Sequence, residues 1–408
     1  MQKRILFLHT RELCYYSGSY FLQQMQKATA EYGIKSEYMS LGEDYSALED
    51  LLGRQYDGVV DINSKLPYFV LEDERRFLDV LGAPFYNYIV DHPLYHHPGL
   101  MFPLQNYHAI AIDHYHEAYM RSYYPHLQQV SYLPLGVTQS AQAKQIPYEK
   151  REIPLLFSGT YEPEQKMLEK FRALCSKVHK DAQRADALYA LGNALREEML
   201  AGKWDAALGR SEVPMEEALE KIVDAQKLQE GYYGVSEFPV LMNYLYLVDK
   251  YVRNARRHQV LSYVAKLHIP LTIVGEGWEQ TPLADASHVT LLGAKRIEET
   301  YDLLAHTQRV LDVNPLFAKG MHDRVTSAAI NGCVCYSDMA KNVDARWCDG
   351  KQFVHYSNWE LDALEEMLRA MPMAEQKQIA KQAMETAERL YSWKAHASQL
   401  LELIEIKQ

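Results

Sequence analysis

No two cysteines stand in a C-x-x-C spacing, and there are only five: Cys14, Cys175, Cys333, Cys335 and Cys348. An odd, scattered set in a long chain excludes a disulfide framework and a paired-cysteine zinc site, and points to reduced thiols in a cytoplasmic protein. No run approaches the about 18 apolar residues that a membrane span needs. The N-terminal stretch MQKRILFLHTRELC is too short in apolar residues for a secretory signal and lacks a small-residue cleavage site. Positive charge is also in short supply. With 43 Lys and Arg against 54 Asp and Glu, the net charge is −11, which excludes broad binding to nucleic acid or anionic membranes. An anionic ligand would need a local basic pocket. Internal repeats and low-complexity tracts are absent.

What is present fits a soluble α/β protein. At about 150 residues per domain, 408 residues predict two to three domains. Tyrosine is over-represented, 30 against 11 Phe and 5 Trp, as suits either pocket walls or a tyrosine-rich core. Arg4–His9 is a short apolar run without alternation, the pattern of a strand buried on both faces. A polar loop holding Ser17, Gly18 and Ser19 follows, then a helix over 20–32. Strands at 34–39, 58–62, 85–90, 109–112 and 130–133 alternate with helical stretches at 48–52, 71–81 and 115–122, which predicts a doubly wound parallel sheet. A second unit opens at Ile153. From about 163 to 265 the chain is helical by period and propensity. Strands return at 271–274, 289–292, 309–313 and 333–336. The expected architecture is two Rossmann-like domains facing a cleft, 1–148 and 149–389. The second carries a helical insert at about 163–265, and the C-terminal helix 390–408 packs back on the first.

Open α/β sheets bind ligands beyond the carboxyl ends of their strands. In the second unit four segments lie there: Gly159-Thr-Tyr161, Gly275-Glu-Gly277-Trp278, Gly293-Ala-Lys-Arg296, and Asn314 through Lys319, Gly320, His322, Asp323 and Arg324. Small residues let backbone N–H groups approach a phosphate, and a helix N-terminus favours its charge. Lys319, His322 and Arg324 add cationic or hydrogen-bonding groups. A lone G-x-G is as often a tight turn. Four such stations in sequence make a nucleotide-diphosphate pocket the better reading.

These residues carry a resemblance. The stretch Leu271-Thr-Ile-Val-Gly-Glu-Gly-Trp278, then Glu298-Glu-Thr-Tyr-Asp-Leu-Leu304, then Asn314-Pro and Lys319-Gly-Met-His-Asp-Arg-Val-Thr-Ser-Ala-Ala-Ile-Asn-Gly-Cys-Val-Cys335 resembles the donor half of GT-B glycosyltransferases. Within them it is most similar to the spore maturation protein (CgeB-like) group, a glycosyltransferase family 1-type group. Tyr391-Ser-Trp-Lys-Ala-His396 resembles the family's closing helix, and Tyr88-Ile-Val-Asp-His-Pro93 its acceptor-side D-x-P segment. The resemblance implies transfer of a sugar from a nucleotide-diphosphate sugar, UDP-sugar favoured, with no other cofactor and no obligatory metal. The acceptor would be a hydroxyl of a glycan, a protein or a small molecule. One departure stands out. Many retaining members have two glutamates eight positions apart here, and the matching residues are Lys319 and Ser327.

The first unit should supply the acceptor site and, for an inverting transfer, a general base. Asp91 and His92 follow a strand directly; His9 follows the first strand and competes with them. Ser17, Gly18 and Ser19 stand at a helix start, where they contact a phosphate or acceptor or simply cap the helix. Asp91, His92, His96 and His97 invite a metal reading, but Pro93 and Pro98 break the helix that would align them. The charge run Arg253-Asn-Ala-Arg-Arg-His258 reads as a solvated helix face. Two rival functions keep the fold: a catalytically silent protein that binds a nucleotide sugar or a partner, and a nucleotide-sugar epimerase.

Overall fold

A computed structural model describes residues 2–42, 45–202, 213–341 and 343–405. They fall into two compact units. One comprises 1–138, 296–298 and 387–408; the other comprises 139–295 and 299–386.

The strands of the first unit are β1 (Arg4–His9), β2 (Lys35–Ser40), β3 (Gly58–Ile62), β4 (Phe85–Ile89), β5 (Tyr107–Ala111) and β6 (Gln129–Tyr132). They form one parallel sheet in the order β2-β1-β3-β4-β5-β6. The sequential order reverses at β1 and β3, so these two strands flank the topological switch point. β3 and β4 are buried along their whole length, as expected of strands covered on both faces. The intervening helices are α1 (Ser17–Ala30), α2 (Phe77–Leu81), α3 (His97–Leu100) and α4 (His114–Tyr123). The helix expected over 71–81 is shortened to α2. Its first half is a turn instead, with Glu74 at φ 67° and Asp73 accepting from the Arg75 backbone and guanidinium.

The strands of the second unit are β7 (Ile153–Ser158), β8 (Leu271–Val274), β9 (Val289–Leu291), β10 (Thr307–Asp312), β11 (Val334–Ser337) and β12 (Val354–His355). They are also all parallel, in the order β12-β11-β10-β7-β8-β9. This is the dinucleotide-type order, and its switch point lies between β7 and β10. A crossover from β7 to β8 needs one helix. Here, among the described residues, it holds six: α5 (Glu164–Val178), α6 (Ala182–Ala201), α7 (Met215–Ile222), α8 (Ala225–Gln229), α9 (Phe238–Tyr244) and α10 (Tyr246–Lys266). The remaining helices are α11 (Ile297–Ala305), α12 (Asp323–Ile330), α13 (Leu361–Ala370), α14 (Met373–Tyr391) and α15 (Trp393–Leu403). Val260, Leu261, Val264 and Ala265 of α10 join Leu155, Phe157, Ile273, Trp278 and Leu311 in the core. The insert is thereby anchored directly to the sheet. The buried guanidinium of Arg151 donates to the carbonyls of Thr307, Gly332 and Ala143, tying β10 and the α12–β11 turn to the chain before β7.

α15 packs on α1 within the first unit. Trp393 lies against Phe21 with ring centroids 5.8 Å apart, and its indole N–H donates to Thr138 at 2.8 Å. The Tyr88 hydroxyl donates to the Leu133 carbonyl and pairs with His396 at 3.1 Å. Among the described residues no helix is long and apolar enough to cross a membrane.

Candidate active site

In the second unit the glycine stations are physically interlocked. Gly159 N–H donates to the Val274 carbonyl, Tyr161 N–H to the Glu276 carbonyl, and Gly275 N–H to the Gly293 carbonyl. The loops after β7 and β8 thus form one ledge at the carboxyl edge of the sheet. Gly277 has φ 89°, and a Cβ there would lie 1.9 Å from the Tyr161 carbonyl oxygen. Gly275 has φ 135°, and its Cβ would lie 2.3 Å from the Gly159 carbonyl oxygen. The G-x-G is therefore explained by close backbone approach between two loops.

Trp278, expected among the donor-binding residues, is a core residue. It is fully buried, its indole N–H donates to the Gly159 carbonyl at 2.7 Å, and its ring stacks on Tyr161 at 4.8 Å. The Tyr161 side chain is likewise spoken for, donating to Glu164, which also pairs with His258 at 3.1 Å. Asn314 is buried and organises its own loop: its amide donates to the Phe317 carbonyl and its carbonyl accepts from the Phe317 N–H. Thr160 and Lys319 are half-buried at the edge, and Gly320 is buried.

The cations beside α12 have an internal counter-charge that the sequence did not reveal. Asp312, the last residue of β10, is fully buried. It accepts from Arg324 at 3.0 Å and from the Ser337 hydroxyl at 2.8 Å, and lies 3.1 Å from His322 Nδ1. Burial alone would push its carboxyl up. The charge and hydrogen bond of His322, then Arg324, overcome that and hold it down at about 2. His322 Nε2 lies 3.2 Å from Asp323, which occupies the first turn of α12. The Arg324 guanidinium also sits over the Phe157 ring at 5.6 Å. Arg324 and His322 are thus held at the switch point, between β10 and the end of β7, by a buried carboxylate. Sequence reading also missed Arg257. This residue of α10 donates to the Thr160 carbonyl at 3.0 Å, at the same edge.

In the first unit the carboxyl ends of β1, β3 and β4 carry the polar groups. Thr10 donates to Asp61, and the Thr10 hydroxyl accepts from Lys65 N–H at 2.9 Å, closing the switch point between β1 and β3. Asp61 is fully buried, and burial pushes its carboxyl up to about 7 despite the hydroxyls of Ser64 and Thr10. Asn63, buried and at φ 47°, is a rivet. Its amide donates to Asp91 at 3.0 Å and its carbonyl accepts from Val90 N–H at 3.1 Å. Neither Asp61, near the end of β3, nor Asn63, which follows it, was singled out from the sequence.

The three base candidates are now distinguishable. His92 is buried, its Nδ1 accepts from Leu94 N–H at 3.1 Å, and its ring packs on His116 and Tyr119. That bond uses the lone pair a base requires. His9 is buried between Ser40, 2.9 Å from Nδ1, and Glu12, 3.4 Å from Nε2; burial lowers its pKa, with Glu12 opposing. The Asp91 side chain keeps 42% exposure, with His96 Nε2 3.8 Å away. It is the candidate a substrate hydroxyl can reach.

Ser17, Gly18 and Ser19 open α1, but an anion already sits there. The Glu12 carboxylate accepts from the backbone N–H groups of Leu13 (3.0 Å), Gly18 (2.9 Å) and Ser19 (3.3 Å). The chain reaches it through two consecutive left-handed residues, Tyr15 and Tyr16. In this structure these three residues make an internally capped helix start. Among the described residues no group of three or more His, Cys, Asp or Glu is arranged to hold a metal ion.

Residues 256–402 match a family model described as glycosyl transferase-like. Comparison with curated protein sequences gives no match. Three solved structures are among those similar over nearly the whole chain. One is a glycosyltransferase from Rickettsia africae ESF-5, with TM-score 0.53 and 8% identity, covering 99% of this chain and 98% of that one. A second is the Anabaena protein Alr3699/HepE in complex with UDP-glucose, with TM-score 0.53 and 8% identity, covering 98% and 99%. The third is sucrose-phosphate synthase from Thermosynechococcus elongatus, with TM-score 0.52 and 11% identity, covering 99% and 98%. The likeness establishes the fold: two Rossmann-like domains and a helical region, the GT-B architecture. Within it, the matched family segment spans the part of the second unit that bears Arg324 and its buried carboxylate. It is similar to glycosyl transferases as a class, without singling out the CgeB-like group.

Proposed function

We propose that this protein transfers a sugar, of hexose type, from a nucleotide-diphosphate donor to an acceptor hydroxyl, without an obligatory metal. UDP is the favoured nucleotide carrier. The observation that carries the reading is the switch point of the second sheet. There the glycine-locked ledge after β7, the β10 end and the start of α12 converge, linked through Phe157 and Arg324. Ligands of open α/β sheets lie at such a crevice. Lys319 would receive the diphosphate, and Arg324, locked on Asp312, would present a fixed dipole to charge developing on it. Asp91, oriented by Asn63, would take the proton from the acceptor hydroxyl. The acceptor is a glycan, a protein or a small molecule, the narrower likeness is to the CgeB-like group, and the expected compartment is the cytoplasm.

Two observations favour a second reading, a catalytically silent nucleotide-sugar binder. Lys319 and Ser327 stand where the resemblance leads one to expect two carboxylates, and Arg324 already has an internal counter-ion. Release of nucleoside diphosphate from a panel of UDP-, GDP- and ADP-sugars, in chelator, separates the two. Turnover that Asp91→Asn abolishes supports the transferase; donor binding without turnover supports the silent binder.

A further inference from the structure

The run Arg253–His258 looks like a solvated helix face in sequence. Its position in the fold is different. Leu261 and Val264 of α10 lie in the core of the second sheet. Arg257 is four residues before Leu261 and seven before Val264, so it shares their face, one turn nearer the helix start. That turn reaches the carboxyl edge of β7. There Arg257 Nη1 donates to the Thr160 carbonyl at 3.0 Å, and a Cβ built on Gly159 would lie 3.7 Å from its Cζ. The side chain is half-buried. The next residue, His258, is fixed on Glu164 at 3.1 Å, and Glu162 N–H donates to Asn254 at 2.8 Å. The β7–α5 loop and α10 are therefore stitched together at three successive points.

We propose that Arg257 is a phosphate-binding residue of the donor site, delivered to it by the helical insert. The inference rests on the donor reading above. The electrostatics lead to it. Arg324 and His322 share the buried charge of Asp312, and Asp323 adds a second carboxylate beside them. Those four residues make a poor anion trap by themselves, whereas a diphosphate needs net positive charge. Arg257 brings a formal positive charge and a planar fork of donors to that edge, and Thr160, which it contacts, is one of the residues at the switch point. The insert, on this account, completes the nucleotide-sugar site rather than docking a partner.

Calorimetric titration of the full chain with UDP, GDP and ADP, and with the matching nucleosides, tests this. For the diphosphate that the wild type binds, Arg257→Gln should weaken affinity about tenfold or more, the scale of one charge-assisted hydrogen bond. Nucleoside affinity should stay unchanged, and the salt dependence of diphosphate binding should flatten. Arg257→Lys should recover part of the loss. In the wild type the same diphosphate, and not its nucleoside, should protect Arg257 from phenylglyoxal, read by peptide mass; this arm stands even where a variant fails to fold. Diphosphate affinity within twofold of wild type in a folded Arg257→Gln, equal loss for diphosphate and nucleoside, or no protection overturns the inference and leaves the donor reading standing. A wild type that binds none of the three diphosphates overturns both.

Discussion

The amide of Asn63 donates to the Asp91 carboxylate at 3.0 Å while its carbonyl accepts from the Val90 N–H at 3.1 Å. One side chain thereby fixes both the backbone and the carboxylate at the end of β4. If Asp91 is the base, Asp91→Asn should lower kcat by about 10²- to 10⁴-fold, the range of general-base contributions. Asn63→Gly tolerates φ 47° and should cost roughly tenfold in kcat with donor KM unchanged. Steady-state kinetics on both variants, with melting curves as fold controls, checks this. A wild-type kcat in Asp91→Asn would remove it from the chemistry.

Asp61 sets a pH dependence of stability with a definite sign. Its folded pKa of about 7 lies above the about 3.9 of an unfolded aspartate. Between those values the folded chain holds a proton that the unfolded chain has lost. Stability from this group is therefore complete below about pH 4 and declines as pH rises toward 7, by up to about 4 kcal/mol. Asp61→Asn should match wild type at pH 4 and melt higher at pH 8. Melting temperatures of the pair at both pH values give the comparison, and a gap that stays constant would contradict it.

Asp312 behaves in the opposite sense. Its pKa is held at about 2, below the unfolded value, so its contribution is present above about pH 4 and is lost as pH falls through 2. Asp312→Asn leaves Arg324 and His322 without the buried counter-charge and should destabilise by about 3–5 kcal/mol at pH 7. Urea unfolding followed by tryptophan fluorescence reads this, since Trp278 lies in the core of the same unit.

Glu12 occupies the start of α1 as an internal anion. Glu12→Ala should cost about 1 kcal/mol, the worth of an N-terminal cap, and expose the N–H groups of Gly18 and Ser19. Sulfate or phosphate should then raise the melting temperature of the variant more than that of wild type. Equal anion effects on both would show that the carboxylate does not fill that position.

How much of this was legible in sequence follows from which physical signal each feature carries. Buried parallel strands announce themselves as unbroken apolar runs, and the insert by its helical composition, so alternation and crossover were readable. Residues following strands were placed at the correct edges. What sequence does not carry is pairing. Nothing near Arg324 in the chain shows that a strand-end aspartate twelve residues earlier is buried beneath it. Nothing around Ser17 shows Glu12 folded back onto the helix start. Trp278 reads as a donor-binding residue because it ends a glycine segment beyond a strand, and only the Gly159 carbonyl under its indole places it in the core. Arg257 was lost because a charge run on a helix is usually solvated, and the sheet edge it reaches lies nearly a hundred residues earlier.

Sugar transfer from a nucleotide-diphosphate donor requires a nucleoside diphosphate to bind in the second unit. The direct measurement is thermal unfolding of wild type, Lys319→Ala and Gly277→Ala with UDP, GDP and ADP in EDTA. One diphosphate should raise the wild-type melting temperature by mass action. The rise should shrink in Lys319→Ala. It should vanish in Gly277→Ala, whose new Cβ cannot coexist with the Tyr161 carbonyl. No shift with any of the three, or an equal shift in all three proteins, would contradict the donor site described above.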